Sequence, residues 1–147
     1  MNITPRSTPP APTMSALRVF VLEDSADRVE ALEQRLPGAS ITVAASYDDA
    51  RKVFAPPYDL ICLDHDLGRW HTLDPTIENT GLSFVRYGFP DRSATFAPTI
   101  FVHTASLSGA TAMARELRQR GHEPFVTPFG DEMLAKVMAT AKGWLRQ

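Results

Sequence analysis

Hydrophobic positions along this chain form short apolar runs that alternate with segments of helical periodicity. The five strand-like runs are 17–22, 40–45, 58–63, 99–103 and 123–127. After each run, apolar residues recur at every third or fourth position, as they do on one face of a helix. Pro37-Gly38 and Pro56-Pro57 end the first two helical segments. The pattern therefore predicts five strands that alternate with five helices.

Several strand-like runs are apolar nearly throughout, as in Leu17 to Leu22. Strands of this kind are covered on both faces, which is typical of parallel sheets between two helical layers. Strict alternation of strand and helix also implies right-handed crossovers. We therefore expect a doubly wound, five-stranded parallel sheet of order 2-1-3-4-5, with helices on both faces. Gly121 ends the fourth helix, and His122 is expected at the surface after it.

Length and composition limit the class of protein. The 147 residues suit one domain, which we expect at 16–147 after a proline-rich, disordered leader at 1–15. The single cysteine, Cys62, excludes an intramolecular disulfide and favours a reducing compartment such as the cytoplasm. No apolar run is long enough to cross a membrane. A net charge of −2 argues against a strong nucleic-acid-binding surface.

Ionisable residues follow three of the predicted strands. In a parallel sheet, ligands bind beyond the carboxyl ends of the strands. The residues at these ends are Glu23 and Asp24 after the first strand, Asp64, His65 and Asp66 after the third, and His103 and Thr104 after the fourth. Clustered carboxylates repel one another unless a cation lies between them, and their oxygens favour a hard cation. The expected metal is Mg²⁺ (or Mn²⁺), and its expected ligands are Glu23, Asp24, Asp64 and Asp66.

The same residues resemble the receiver domain of two-component response regulators. Glu23-Asp24 matches the acidic pair of a receiver, and Asp64 lies where a receiver carries its phosphoacceptor aspartate. Thr104-Ala105 is similar to the switch threonine and the alanine after it. Thr127-Pro128-Phe129 resembles the Lys-Pro-Phe signature with the lysine replaced. The resemblance implies a receiver-like, flavodoxin-like fold.

Departures from the receiver pattern point to an offshoot of that family. His65, Asp66 and His103 are not required by receiver signalling, and Thr127 offers only a hydroxyl in place of the lysine. The segments closest to the offshoot are 63–68, 80–85 and 103–104, with Met113 and Leu117 beyond them. This offshoot is the cyclic-phosphate-processing receiver family. The receiver resemblance covers roughly 17–147, and the likeness to the offshoot implies an enzyme-like pocket for a phosphate-containing small molecule or an RNA end.

An enzyme of this kind would be a metal-dependent hydrolase of cyclic phosphates. The expected catalytic residues are Asp64, His65, His103 and Thr104. Thr104 would bind phosphate oxygens, and His65 or His103 would donate a proton to the departing ribose oxygen, since imidazole titrates near neutral pH. The attacking group is either a water molecule activated by the metal or Asp64 itself.

Two other functions fit the same residues. A signalling receiver would accept phosphate on Asp64 in a phosphorelay and bind a protein partner through its later helices. A degenerate receiver would act only as an interaction module. Structural roles are also open, because Glu23 and Asp24 suit helix caps and His103 suits a hydrogen-bonded core position. The irregular stretch 67–80 is either solvated or a lid over the pocket.

Overall fold

The computed structural model describes residues 14–69 and 71–146. Its strands are β1 (Arg18–Leu22), β2 (Ser40–Ala44), β3 (Leu60–Leu63), β4 (Thr99–Val102) and β5 (Phe125–Val126). Its helices are α1 (Ala26–Arg35), α2 (Tyr47–Val53), α3 (Gly81–Gly88), α4 (Leu107–Gln119) and α5 (Asp131–Leu145). The elements lie where the hydrophobic pattern predicts them, with their ends shifted by a few residues.

Four helices begin at a hydroxyl side chain that caps the first turn. The capping residues are Ser25, Ser46, Thr80 and Ser106, and each accepts a hydrogen bond from the backbone N–H three residues later. Such caps satisfy N–H groups that have no partner within the helix. The caps therefore determine where these helices start, at the end of the sheet where the strands finish.

All five strands are parallel, in the order β2-β1-β3-β4-β5, which confirms the predicted doubly wound sheet. The three central strands end in register, because Leu22 pairs with Leu63 and Leu63 pairs with Val102. The chain therefore leaves all three strands at one edge of the sheet, which we call the rim. The first residues beyond these strand ends are Glu23, Asp64 and His103.

Each face of the sheet has its own hydrophobic core. Phe20 and Ile61 lie in the core beneath α2, α3 and α4. Val21 and Cys62 lie in the core beneath α1 and α5. Cys62 is fully buried, and burial raises the pKa of its thiol to about 12. Apolar strands are therefore covered on both faces, as a parallel sheet between helical layers requires.

The chain ends add detail to the predicted domain. Residues 1–13 of the expected leader lie outside the described residues, so the boundary at 16 stays a prediction. Met14 is buried and donates its N–H to the carbonyl of Pro37.

The last strand, β5, is shorter than the run 123–127, and both of its residues are exposed at the edge of the sheet. In the described part of the chain, no helix is long and apolar enough to span a membrane.

The expectation that His122 lies at the surface is wrong. The residue is only 4% exposed, and its ring meets the edges of Phe89 and Phe96. Its Nε2 atom lies 2.9 Å from the carbonyl oxygen of Pro90. The segment between α3 and β4 therefore covers the imidazole, an interaction over about 30 residues that local pattern does not reveal.

Candidate functional site

Three carboxylates from two neighbouring strand ends meet at the rim. Glu23, Asp24 and Asp64 each offer one oxygen atom, and these three atoms lie within 4.8 Å of one another. Glu23 and Asp64 are buried, whereas Asp24 is exposed. We call these three residues the acidic cluster. Asp66, the fourth residue expected as a ligand, lies outside this group of carboxylates.

The Glu23 carboxylate is held from two sides. Its Oε2 atom accepts hydrogen bonds from the backbone N–H groups of Asp24 (2.9 Å) and Ser25 (3.3 Å). Its Oε1 atom accepts a hydrogen bond from Nη1 of Arg28 at 3.4 Å. Burial nevertheless raises the pKa of Glu23, because the buried carboxylate loses its hydration. Glu23 therefore has two roles: it stabilises the turn that leads to Ser25, the capping residue of α1, and it belongs to the acidic cluster.

Asp64 is also perturbed by its surroundings. Burial and the neighbouring Glu23 charge raise the pKa of Asp64 to about 8, although the backbone N–H groups of His65 and Asp66 donate hydrogen bonds to it. Close packing of α3 fixes this strand end, because the Gly81 N–H donates to the carbonyl of His65 at 2.9 Å. A Cβ at Gly81 would overlap the carbonyl oxygen of Asp64, so the approach requires glycine.

His103 is completely buried and uncharged. Its Nδ1 atom lies 3.8 Å from Oε1 of Glu23, and its ring meets Phe129 edge-on at 5.5 Å between centroids. Neither ring nitrogen has a hydrogen-bond partner among the described residues. Burial lowers the pKa of His103 to about 3, so its contact with Glu23 is not an ion pair near neutral pH. Its position suits a group that orients Glu23.

His65 is the imidazole on the open side of the rim. Its side chain keeps 18% of its exposure, and Nδ1 lies 2.9 Å from Oδ1 of Asp66. The other Asp66 oxygen accepts a hydrogen bond from the Thr104 hydroxyl at 3.4 Å. The ring also packs on α4, where a Cβ at Gly109 would lie 2.6 Å from its Cγ atom. These contacts orient the imidazole, and its remaining exposure keeps the side chain accessible from solvent.

Thr104 and Thr127 occupy the threonine and lysine positions of a receiver, and their hydroxyl groups make different hydrogen bonds. Thr104 Oγ1 accepts a hydrogen bond from the Ser106 N–H at 3.1 Å, at the start of α4. The Thr127 hydroxyl donates to the carbonyl of the next residue. Lys136 pairs with Glu132 on the outer face of α5 at 3.4 Å. Neither Thr127 nor Lys136 therefore brings an ammonium group to the acidic cluster.

Arg28 is a site residue that the sequence analysis missed. Its side chain is 40% exposed, and its guanidinium lies 3.4 Å from Glu23 and 5.1 Å from the centroid of the Phe129 ring. The available signal was its position in the first turns of α1, five residues after Glu23. Arg28 therefore supplies a positive charge beside the acidic cluster in a chain that has Thr127, and not a lysine, at the receiver lysine position.

Within the irregular stretch, residues 71–80 form a loop that is fixed to the start of α2. The Asn79 side chain accepts a hydrogen bond from the Tyr47 N–H at 2.8 Å. The Leu73 N–H donates to Oδ2 of Asp48, also at 2.8 Å. These bonds place the loop beside Asp24, with a cleft of about 670 Å³ between them. We call it the loop cleft. Asp24, Asp48, Asp49, Lys52, His71 and Asn79 are among its lining residues.

The acidic cluster has the chemistry of a divalent cation site. Three carboxylates supply oxygen donors, which hard cations such as Mg²⁺ and Mn²⁺ prefer. Burial raises the pKa values of Glu23 and Asp64, and repulsion by the Glu23 charge raises the pKa of Asp64 further. A bound cation relieves that repulsion, so the residues fit a divalent metal ion.

A family model for the cyclic-phosphate processing receiver domain matches residues 19–119. The chain belongs to this family. The match spans β1 to α4 and contains the acidic cluster, His65 and His103. No curated protein matches the sequence significantly.

Solved receiver structures share the fold of this cyclic-phosphate processing receiver domain. The Mn²⁺-bound form of response regulator Rcp1 is 13% identical, with a TM-score of 0.59, and the alignment covers 88% of this chain and 94% of Rcp1. The non-phosphorylated HemR receiver domain from Leptospira biflexa is 21% identical, with a TM-score of 0.59 and coverage of 85% and 94%. The BeF3-activated DrrB receiver domain is 13% identical, with a TM-score of 0.56 and coverage of 89% and 98%. The likeness extends the receiver fold through β5 and α5, beyond the family match.

Proposed function

We propose that this receiver domain is a metal-dependent phosphoesterase that opens a cyclic phosphate of a nucleotide or an RNA end. One observation carries the proposal: the rim joins three carboxylates to a partly exposed imidazole, His65, which Asp66 orients. Membership of the cyclic-phosphate processing family supports the substrate class. The buried, uncharged His103 favours His65 as the proton donor.

Glu23, Asp24 and Asp64 would hold the metal, with Mg²⁺ or Mn²⁺ as the proposed ion. Rcp1, which shares the fold, binds Mn²⁺. When bound, the ion supplies positive charge that stabilises the phosphate oxygens as negative charge develops on them. His103 keeps Glu23 in its ligand orientation, because the two side chains are packed together within the core.

The remaining chemistry belongs to side chains of this chain. A water oxygen forms the new bond to phosphorus, and the bond from phosphorus to one ribose oxygen breaks. His65 gives its Nε2 proton to that departing oxygen, while Asp66 holds the ring through Nδ1. The attacking water releases its proton to solvent, and His65 takes one proton back from solvent, so the protons balance over the reaction. Arg28 lies beside the cluster, and Thr104 follows His103 at the rim and contacts Asp66; both would bind the other phosphate oxygens.

Phosphorylation of Asp64 is the alternative that the fold itself favours. Asp64 directly follows β3 and lies beside Glu23 and Asp24, in the arrangement that the receiver resemblance implies for a phosphoacceptor. A stable aspartyl phosphate gains from a nearby lysine, and neither Thr127 nor Lys136 supplies one. A protein partner on the later helices remains part of this alternative.

The test compares two reactions on the same protein. We expect the protein to hydrolyse adenosine 2′,3′-cyclic phosphate in the presence of Mg²⁺. Chromatography of the monophosphate product measures the rate of this reaction. His65→Gln is expected to lower turnover by about two orders of magnitude, because it removes the proton donor. Asp64→Asn should abolish metal-dependent turnover, whereas Asp91→Asn, an exposed carboxylate with a side chain 78% exposed, should not.

A parallel incubation with acetyl phosphate separates the two functions. Intact-mass measurement reports any phosphate added to the protein, and Asp64→Asn shows whether Asp64 carries it. Stable phosphorylation of Asp64 without hydrolysis of any cyclic phosphate would overturn the phosphoesterase proposal in favour of signalling. Hydrolysis that persists in His65→Gln and fails in His103→Gln would reassign the proton donor.

A further inference from the structure

The loop cleft carries more negative than positive charge. Asp48 and Asp49 lie in the first turn of α2 and line the cleft together with Asp24. In the described part of the chain, Lys52 is the one Lys or Arg residue that lines the cleft. Asp48 is also half-buried and engaged with the Leu73 N–H, which holds its carboxylate in place. A ligand that extends from the acidic cluster into this cleft therefore meets two further carboxylates.

A second cleft on the other side of Asp24 is also acidic. It lies between α1 and β2, has a volume of about 400 Å³, and is lined by Glu30 and Glu33 in addition to Glu23 and Asp24. No Lys or Arg side chain lines it within the described part of the chain. Both clefts that share Asp24 with the cluster thus repel added negative charge.

Polynucleotide binding requires the opposite charge pattern. Proteins hold a nucleic acid chain mainly through Lys and Arg side chains on its phosphates. Each phosphodiester beyond the terminal nucleotide adds one negative charge, and charges within about 8–10 Å are poorly screened at physiological salt. Arg28, the cation beside the cluster, is already 3.4 Å from Glu23. The rim can therefore compensate one phosphate more readily than a chain of them.

The loop cleft still has room and surface for one nucleoside. Its volume of about 670 Å³ falls within the range of roughly 300–1,000 Å³ typical of small-molecule sites. Ala45 and Leu73 contribute apolar surface, and the Leu73 side chain is 82% exposed. His71 and Asn79 add polar atoms that are suited to a base or a ribose. A single nucleoside fits these surfaces without a second phosphate.

We infer that the substrate is a cyclic phosphodiester with a single negative charge, such as a nucleoside 2′,3′-cyclic phosphate, and not the end of an RNA chain. The inference rests on the proposed function. The loop cleft takes the nucleoside, and the acidic lining of both clefts excludes substrates that carry further phosphates.

Three substrates test the inference. They are adenosine 2′,3′-cyclic phosphate, the same compound with a 5′-phosphate, and a trinucleotide that ends in a 2′,3′-cyclic phosphate. We expect kcat/KM to fall by about tenfold for the 5′-phosphorylated compound, since like charges close together oppose binding, and further for the trinucleotide. Added NaCl should narrow the difference, because salt screens charge but does not change size. A trinucleotide that reacts as fast as the mononucleoside would overturn the inference.

Variants that replace carboxylates with neutral amides test which residues cause the discrimination against a second phosphate. Asp48→Asn with Asp49→Asn, combined with Glu30→Gln and Glu33→Gln, should reduce the ratio of kcat/KM between the first two substrates. Asn at 48 keeps an oxygen for the Leu73 N–H. The control matched in charge is Asp91→Asn and Glu123→Gln combined with Asp131→Asn and Glu132→Gln, which removes four exposed carboxylates outside both clefts. An equal change of the ratio in the control would contradict the assignment to the clefts.

Binding separates failure of this inference from failure of the proposed function. If none of the three substrates reacts, the phosphoesterase proposal fails. Calorimetry with Mn²⁺ then compares adenosine 3′-monophosphate with adenosine 3′,5′-bisphosphate. Weaker binding of the bisphosphate would still support the charge selection. Equal or tighter binding of the bisphosphate, or no binding of either compound, would overturn it.

Discussion

The Nδ1 atom of His103 lies 3.8 Å from Oε1 of Glu23, and both side chains are completely buried. Burial lowers the pKa of the imidazole to about 3 and raises the pKa of the carboxyl group. The two groups are therefore packed neighbours rather than an ion pair near neutral pH. Glu23 is the innermost member of the acidic cluster, so the contact links the core of the domain to its rim.

Replacing His103 separates positioning from proton donation. His103→Phe keeps an aromatic ring against Phe129 but removes the atom next to Glu23. We expect Mn²⁺ affinity, measured by calorimetry, to fall by about tenfold or more, as it does when groups behind metal ligands are lost. When turnover is measured as a function of pH, the midpoint of the curve should be the same as in wild type, because His103 does not titrate near neutral pH. Loss of that midpoint in His103→Phe would make His103 the proton donor.

A methyl group at residue 109 should displace the imidazole of His65, the proposed proton donor. The Cβ of Gly109→Ala would lie 2.6 Å from Cγ of His65, so the ring must shift. We expect turnover to fall by about 10²-fold, since a displacement of about 1 Å has such an effect in enzymes. Mn²⁺ affinity should stay within experimental error, because the acidic cluster does not contact Gly109.

Gly143→Ala is the matched control for that variant. Gly143 also lies within a helix, and apart from its chain neighbours and the backbone of that helix no described atom lies within 4 Å of a Cβ built there. Alanine should therefore stabilise the domain by about 0.5–1 kcal/mol through helix propensity, with turnover unchanged. Equal turnover in the two alanine variants would show that His65 does not need its observed position.

Removing the Asp64 charge should stabilise the metal-free protein. The folded pKa of Asp64, about 8, lies above its ordinary value of 3.8. The folded protein therefore favours the protonated, neutral form of Asp64. The stability that this form contributes is fully present below about pH 4 and is lost as the pH rises through about 8. In EDTA, Asp64→Asn should melt several degrees above wild type, by about 2–8 °C, with a larger gap at pH 8 than at pH 5.

Divalent metal should reverse that order. Saturating Mg²⁺ or Mn²⁺ stabilises only the protein that binds it, so wild type should gain in melting temperature and Asp64→Asn should not. Asp91→Asn, whose side chain is exposed, serves as the control and should follow wild type in both conditions. A metal-induced shift of equal size in Asp64→Asn would place the ion elsewhere.

The buried His122 gives stability a second dependence on pH. Burial lowers the folded pKa of His122 below its ordinary value of about 6.5, and Asp91, Arg92 and Arg120 are the charged groups that act on it. Its contribution is therefore present above about pH 6.5 and is lost as the pH falls below that value. Urea unfolding should show His122→Gln less stable than wild type by about 1–2 kcal/mol at pH 7.5. The gap should shrink towards pH 5, and a gap independent of pH would contradict the burial of a neutral ring.

Local sequence determined the elements and the rim. Apolar runs of strand length, separated by amphipathic segments, led to the parallel sheet, because such strands must be covered on both faces. Parallel strands that end in register then place Glu23, Asp64 and His103 at one edge. For this reason the acidic cluster was predictable from the ends of β1 and β3.

Side-chain environment was decided only by the tertiary structure. Whether His103 faces solvent depends on Phe129, 26 residues later, and whether His122 does depends on Pro90, 32 residues earlier. Asp66 turned to His65 rather than to the cluster, and Arg28 reached Glu23 across the first turns of α1. Each of these outcomes depends on packing between segments or on a rotamer choice, and pKa follows from the resulting burial. The sequence by itself determined which groups gather at the rim, whereas the packing around them decided which are charged, exposed and able to react.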